Sequence, residues 1–175
     1  MNHLEQLVAE WLQYNDYFVR SSVPVGPRDQ GGFEGELDVI AYHFARNHLL
    51  HVECSLDALS MPNGNPSLSL SSTEGVSTSR DVFRKVSGDL DLPEPEQIVV
   101  LQLQAEVREI GGARLVTVRE FVHEVYEGLK GKTPQSKAVP SNLPLLRILQ
   151  PRRHSKGRLY GASHYSVGPT YSGGC

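Results

Sequence analysis

The sequence contains few of the residues that mark disulfide-rich, zinc-binding or membrane-spanning proteins. Cys54 and Cys175 are its only cysteines, so a disulfide framework is not expected and a reducing compartment fits. The seven histidines and two cysteines show no zinc-ligand spacing. No run approaches the roughly 20 apolar residues that span a membrane, and no secretory signal pattern opens the chain. These absences predict a soluble, cytoplasmic protein with no membrane partner.

Nucleotide-binding motifs and internal repeats are also missing. The 16 glycines form no phosphate loop and no dinucleotide fingerprint. A length of 175 residues predicts one domain, with a core that needs neither disulfides nor structural metal. We place this domain at residues 1–150 and a flexible tail at 151–175, because the end of the chain is rich in Gly, Ser and Tyr without periodicity.

Charge is unevenly distributed along the chain. The net charge is −3, but residues 146–175 carry five basic side chains and no acidic one. The preceding 145 residues therefore hold 12 basic and 20 acidic side chains, a net charge of −8. The body is acidic and the tail is basic. Such a tail either seeks phosphate or simply stays solvated.

Hydrophobic periodicity predicts alternating helices and strands. The first helix covers residues 2–15, with Asn2 as its cap, because apolar residues recur there at helical spacing. On this helix Glu5 borders the apolar stripe, whereas Glu10 is expected on the wetter side. The predicted strands are 17–25, 37–43, 49–55, 97–104 and 114–118, and the other predicted helices are 79–90, 119–130 and 143–150. A long loop, rich in Ser, Asn, Gly and Pro, is predicted at 58–78.

Two of these strands carry acidic residues that their apolar surroundings do not explain. Asp38 and Glu53 lie in strands, where acids are depleted by propensity and costly to bury unless they are paired or bound to a metal. Alternation puts Leu37, Val39 and Ala41 on one face of their strand and Asp38 on the other.

The short connection between the two strands favours an antiparallel hairpin, with the strand 97–104 central and parallel to its predecessor. If Asp38 and Glu53 share a face near one end of the hairpin, their carboxylates surround a cation-sized space. His51 shares the face of Glu53 and either lies near this site or merely satisfies a partner. Cys54 alternates to the apolar face, where an inert buried thiol is expected.

The order helix, three strands, helix, strand, with Glu5 on the first helix, Asp38 in Gly35–Ala41 and Glu53 in His51–Ser55, resembles the PD-(D/E)XK nuclease superfamily. The resolvase-like and Mrr-like members are the most similar. The resemblance covers roughly residues 2–104 and depends on the order of elements more than on individual letters. It implies an α/β, restriction-endonuclease-like αβββαβ core in which helices flank a mixed sheet.

The resemblance also implies a site and an activity. Asp38, Glu53 and the backbone carbonyl of Cys54 would bind Mg²⁺ or Mn²⁺, since hard cations prefer oxygen ligands and share them with substrate phosphate. The metal would activate water for attack on a phosphodiester bond in DNA, with Glu5 holding a water or a second ion. The implied protein is a metal-dependent deoxyribonuclease that binds DNA and, like many proteins of this fold, can act as a homodimer.

One position departs from the pattern of the superfamily. Ser55 stands where the family places its lysine, two residues after the glutamate, and a hydroxyl cannot replace that positive charge. Lys85 on the predicted helix 79–90 could supply the ammonium from another element or remain a solvated surface lysine. Leu37 replaces the motif proline, at a position that varies in the superfamily.

Three functions are compatible with these residues. The leading hypothesis is a metal-dependent endonuclease acting on DNA. The alternative is a catalytically impaired member of the same fold that serves as a nucleic-acid or protein binding module, which Ser55 and the acidic body favour. The third is a structural or interaction protein whose strand carboxylates lie at exposed sheet ends.

Overall fold

The structure is a computed structural model, and it describes residues 2–56, 84, 91–102, 108–110 and 112–151. The predicted loop 58–78, the predicted helix 79–90 apart from Arg84, and the basic tail beyond residue 151 lie outside the described residues. The strand predicted at 97–104 is described as far as residue 102.

The chain forms an α/β fold in which helices flank a six-stranded mixed sheet, as the sequence predicts. The helices are α1 (His3–Tyr14), α2 (Val118–Gly128) and α3 (Pro144–Leu149). The strands are β1 (Phe18–Pro27), β2 (Phe33–His43), β3 (His48–Ser55), β4 (Glu96–Leu101), β5 (Glu109–Ile110) and β6 (Ala113–Thr117). Their order across the sheet is β1-β2-β3-β4-β6-β5. Within the described ranges, no helix combines the length and the apolar character needed to cross a membrane.

The antiparallel hairpin predicted around the two strand acids is present. β2 and β3 pair antiparallel from His43 opposite His48 to Val39 opposite Val52. A short 3-10 turn and Asn47, whose φ is 45°, join the two strands. The Asn47 side chain also accepts a hydrogen bond from the Tyr42 hydroxyl at 2.7 Å. Turn chemistry therefore fixes the register of the two strands that carry the acids.

Strand β4 continues the sheet beyond this hairpin. It pairs parallel to β3, with Glu53 opposite Val99, and parallel to β6 on its other side. The central, parallel position predicted for this strand is confirmed. Its apolar run fits that position, since parallel strands are covered on both faces.

The core is divided between the two faces of the sheet. On one face, the three helices cover the larger cluster, which includes Val8, Trp11, Val52, Val125 and Leu146. The smaller cluster, on the other face, holds Val23, Leu37, Ile40, Tyr42, Leu49 and Leu92. The first helix thus packs directly on the strands that carry the candidate acids.

The expectation that Leu37 shares a face with Val39 is wrong. Val39 lies in the larger cluster and Leu37 in the smaller one, although residues two apart in a regular strand point the same way. Pairing between β1 and β2 passes from Val39 to Leu37 without a Ser22–Asp38 pair, and Ser22 has a φ of 52°. The pleat is therefore interrupted at Asp38.

The expectation that Glu10 faces water is also wrong. Glu10 is buried, because α3 packs beside α1 and its Leu146 N–H donates to Glu10 Oε2 at 3.0 Å. Gln6 Nε2 donates to the other carboxylate oxygen at 3.0 Å. The partner lies 136 residues along the chain, so helical spacing alone could not reveal this contact.

Replacing Glu10 should test this attachment of α3. Glu10→Ala leaves the Leu146 N–H without its charged acceptor and should lower the free energy of unfolding by about 2–3 kcal/mol. Glu10→Gln keeps an acceptor and should cost less. Urea unfolding measures the difference, with Gln13→Ala on the exposed side of the same helix as the control, expected within about 0.5 kcal/mol of wild type. Equal losses for Glu10→Ala and Gln13→Ala would contradict the assignment.

Candidate active site

Glu5 has a structural role at the start of α1. The Asn2 side chain accepts hydrogen bonds from the Leu4 and Glu5 N–H groups, and Glu5 Oε2 accepts from the Asn2 N–H at 3.0 Å. This reciprocal pair is a capping box, which confirms the predicted cap. Glu5 is also buried, 7% exposed, so this first-turn glutamate points inward as well.

Asp38 lies at the interruption in β2, next to β3. Its Oδ2 accepts a hydrogen bond of 2.7 Å from the Cys54 backbone N–H. Burial raises the pKa of Asp38 to about 6; the Cys54 N–H acts against this shift, and the carboxylates of Glu53 and Glu5 add to it. Glu5 and Glu53, the other two acids singled out in the sequence, therefore lie close enough to act on Asp38.

Glu53 is held by a buried histidine. His51 Nε2 and Glu53 Oε1 are 2.6 Å apart, and the His51 side chain is only 3% exposed. The two side chains share a face of β3, as alternation predicts. Because one Glu53 oxygen is engaged by the imidazole, the orientation of its carboxylate is restricted.

Cys54 separates this acidic group from the core. Its side chain packs against the larger apolar cluster. Burial raises the pKa of its thiol, and the carboxylates of Asp38, Glu5 and Glu53 raise it further. The thiol therefore stays protonated at neutral pH, as expected for a packing residue. Its backbone contributes an N–H to Asp38, while the metal contact predicted for its carbonyl stays a prediction.

The structure describes the residue at the lysine position of the motif but not the lysine proposed to replace it. Ser55 is the last residue of β3, half-buried and paired with Leu101. Lys85 lies outside the described residues. Of the basic side chains in the described ranges, none contributes to the pKa shift of Asp38. The catalytic roles of Ser55 and Lys85 stay predictions.

The carboxylates of Asp38 and Glu53 fit a hard divalent cation only if water and substrate phosphate supply its remaining ligands. Across the part of the chain that the structure describes, no three His, Cys, Asp or Glu side chains form a ready-made metal site. Mg²⁺ commonly uses only one or two protein carboxylates and completes its shell with water and substrate phosphate. Asp38 and Glu53 supply such a pair, and the raised pKa of Asp38 indicates negative charge that the fold leaves poorly compensated.

Ser22 is a site neighbour that the sequence did not reveal. It occupies the gap in the β1–β2 register across from Asp38. Its Oγ is buried and has no hydrogen-bond partner within the described ranges, and its backbone is in the left-handed region. Strained, unsatisfied groups of this kind collect at functional sites. A serine inside a β-branched run gives no signal of such a conformation.

Comparisons with protein families and with curated proteins identified no relative of this chain. No protein-family model matches the chain, and no curated protein is similar enough to match it. A proposal about function therefore depends on the acids themselves, their places on α1 and the β2–β3 hairpin, and the order of elements in the sequence.

The raised pKa of Asp38 predicts a pH-dependent stability. Its carboxyl has an ordinary pKa near 3.8 and a folded pKa of about 6, so folding favours the protonated form. That contribution is complete below about pH 4 and is lost as the pH rises through 6. At pH 7.5, in EDTA, Asp38→Asn should therefore increase the free energy of unfolding by about 1–2 kcal/mol, a value reduced for partial solvent screening.

Urea titrations at pH 4.5 and 7.5 measure this effect. The advantage of Asp38→Asn over wild type should shrink towards the lower pH, where wild-type Asp38 is protonated. Asp29→Asn, in an exposed turn, is the matched control and should show little change at either pH. A stability gain that is the same at both pH values would show that charge at Asp38 is not its cause.

Proposed function

We propose that this protein is a metal-dependent endonuclease of the PD-(D/E)XK type that hydrolyses phosphodiester bonds in DNA. The observation that carries the proposal is the convergence of Glu5, Asp38 and Glu53 at one end of the β2–β3 hairpin. Acids on the first helix, the second strand and the third strand are those that the resemblance assigns to the site. The mixed sheet is compatible with this proposal.

The side chains have distinct roles in this proposal. Asp38 and Glu53 would hold Mg²⁺ or Mn²⁺, which supplies charge neutralisation at phosphate and a more acidic water. His51 fixes the orientation of Glu53 through the 2.6 Å contact. The Cys54 N–H donates to Asp38 Oδ2 and orients its carboxylate. Glu5 adds negative charge close to Asp38, which favours binding of a cation.

A specific observation favours a second function. Ser55 stands at the lysine position, and within the described ranges no basic side chain acts on the pKa of Asp38. Lysine beside the attacking water stabilises the charged transition state, so its replacement weakens catalysis more than binding. The alternative is therefore a binding module with the same fold, which recognises nucleic acid or a protein and cuts slowly or not at all.

Nuclease assays with substitutions at the acids test the main proposal. Purified protein with Mg²⁺ or Mn²⁺ should cut plasmid, single-stranded or branched DNA, and EDTA should stop the reaction. Asp38→Ala removes a ligand and should reduce the rate about a hundredfold or more. Glu36→Gln, an exposed acid on the same strand, is the matched control and should cut like wild type. Absence of cleavage on all three substrates, or equal cleavage by Asp38→Ala, would reject the nuclease assignment.

Ser55→Lys provides a test in the opposite direction. Restoring an ammonium next to Glu53 should increase the rate about tenfold if the site binds metal in the proposed way. For the binding module, wild type should bind DNA without cutting it, with affinity that falls steeply as salt increases. Salt-dependent binding without cleavage would favour the alternative, whereas no DNA binding and no effect of Mg²⁺ on the melting temperature would exclude the nuclease and the nucleic-acid binding module.

A further inference from the structure

A cavity lies on the helical face of the sheet, apart from the group of carboxylates described above. It measures about 230 Å³, is partly open to solvent, and lies between α1 and α2 over the strands β3, β4 and β6. Its floor is formed by apolar side chains of the strands, Leu50, Val52, Ile98, Val100 and Val116, with Phe121 of α2 beside them. On α1 it begins at Val8 and extends towards Asn15, away from the end of the helix that carries Glu5. The cavity is thus distinct from the carboxylate site.

The rim of the cavity is polar, and protein donors already engage its acids. Glu96 Oε2 contacts His48 Nε2, and Glu96 Oε1 accepts from Arg114 Nε, each at 3.0 Å. His48 Nδ1 in turn contacts the Tyr17 hydroxyl at 2.8 Å. Each oxygen of the Glu96 carboxylate therefore has a partner before any ligand arrives.

The second acid of the rim is engaged from the opposite wall. Glu124 on α2 accepts a hydrogen bond of 3.0 Å from the indole N–H of Trp11 on α1. This contact joins the two helices across the cavity. One oxygen of the Glu124 carboxylate thus already accepts a hydrogen bond within the protein and is less available to a ligand.

Two guanidinium groups at the rim keep unused donors. The Arg46 side chain is exposed and makes no hydrogen bond or ion pair to any other described residue. Arg114 is 55% exposed and engages Glu96 through Nε alone, so its terminal N–H groups face solvent or a ligand. The mouth therefore offers donors with positive charge, while the interior offers apolar surface.

We propose that this cavity binds a small aromatic carboxylate, with the ring inside and the carboxylate at Arg46 and Arg114. An apolar cavity of about 150 Å³ holds benzene, so 230 Å³ has room for one ring with a short substituent. A guanidinium binds a carboxylate through parallel N–H donors, which fixes the direction of the bound ligand. Apolar lining with a few convergent polar groups is the usual composition of a ligand site.

Trp11, the only tryptophan of the chain, lines the cavity and can report binding. Full-length protein is titrated with benzoate while Trp11 emission is followed, and calorimetry measures the same binding. A saturable change is expected with benzoate. Benzamide has the same shape without charge and should bind about tenfold more weakly, since hydrogen bonds to charged groups are the stronger ones. Acetate, which lacks the ring, should give no saturable change.

Two substitutions at the rim should change the affinity for benzoate in opposite directions. Arg114→Gln should weaken benzoate binding about tenfold. Glu96→Gln removes the negative charge that pairs with Arg114, so it should strengthen binding several-fold. Both side chains are substantially exposed, so the variants should fold, which circular dichroism verifies. Arg147→Gln, an exposed arginine on α3 that is not part of the cavity, is the matched control and should bind like wild type.

Three results would overturn this proposal. The first is the absence of any emission or heat change with millimolar benzoate. The second is equal affinity for benzoate and benzamide, which would show that the guanidinium groups do not contribute. The third is an affinity that neither Arg114→Gln nor Glu96→Gln alters.

Discussion

The free-energy cost of burying carboxylates is the constraint on which this structure depends. A buried charge is tolerated only when donors or opposite charges compensate it. Glu5 is compensated by the Asn2 N–H and Glu10 by the Leu146 N–H and Gln6. Asp38 receives one backbone N–H and has two carboxylates near it, which raise its pKa together with burial. The fold thus satisfies the acids that hold its helices and leaves the hairpin acid poorly compensated.

This contrast separates structural acids from candidate functional ones. An acid whose partners are all supplied by the protein stabilises the fold and needs nothing else. An acid whose environment disfavours its charged form destabilises the fold at neutral pH, and binding of a cation would recover that free energy. Glu53 has features of both classes of acid. His51 engages one of its oxygens, and its carboxylate raises the pKa of Asp38.

Local patterns predicted much of the fold. The alternation around Val39 and Val52 located the hairpin strands, the short turn at Asn47 gave their antiparallel direction, and the apolar run ending at Leu101 gave a central parallel strand. These features depend on neighbouring residues. Asp38 and Glu53 were identifiable from the sequence because acids in apolar strands need a reason, and Glu5 was identifiable through the resemblance in the order of elements.

What sequence reasoning missed depends on contacts between distant segments. Leu37 lies on the other face where the β1–β2 pairing skips Ser22 and Asp38, and serine has no property that predicts a φ of 52°. The cavity beside Trp11 depends on how two helices are spaced over the sheet, which the amphipathic pattern of each helix does not specify. The periodicity of a segment predicts which of its side chains face the core. The distance between packed helices and the sheet is set only when the whole fold assembles.

The hydrogen bond between Glu10 and Leu146 also has a consequence for synthesis on the ribosome. The first helix emerges early, but the N–H that compensates its buried acid is made 136 residues later. The six-residue helix α3 is too short to be stable alone and forms only against α1. Contacts between segments so far apart in sequence form slowly, because closing the loop between them costs entropy. The domain should therefore reach its native state only after α3, which ends at Leu149, has left the exit tunnel. A nascent chain stopped before Leu146 would hold each of the six strands described above yet lack the contact that completes its first helix.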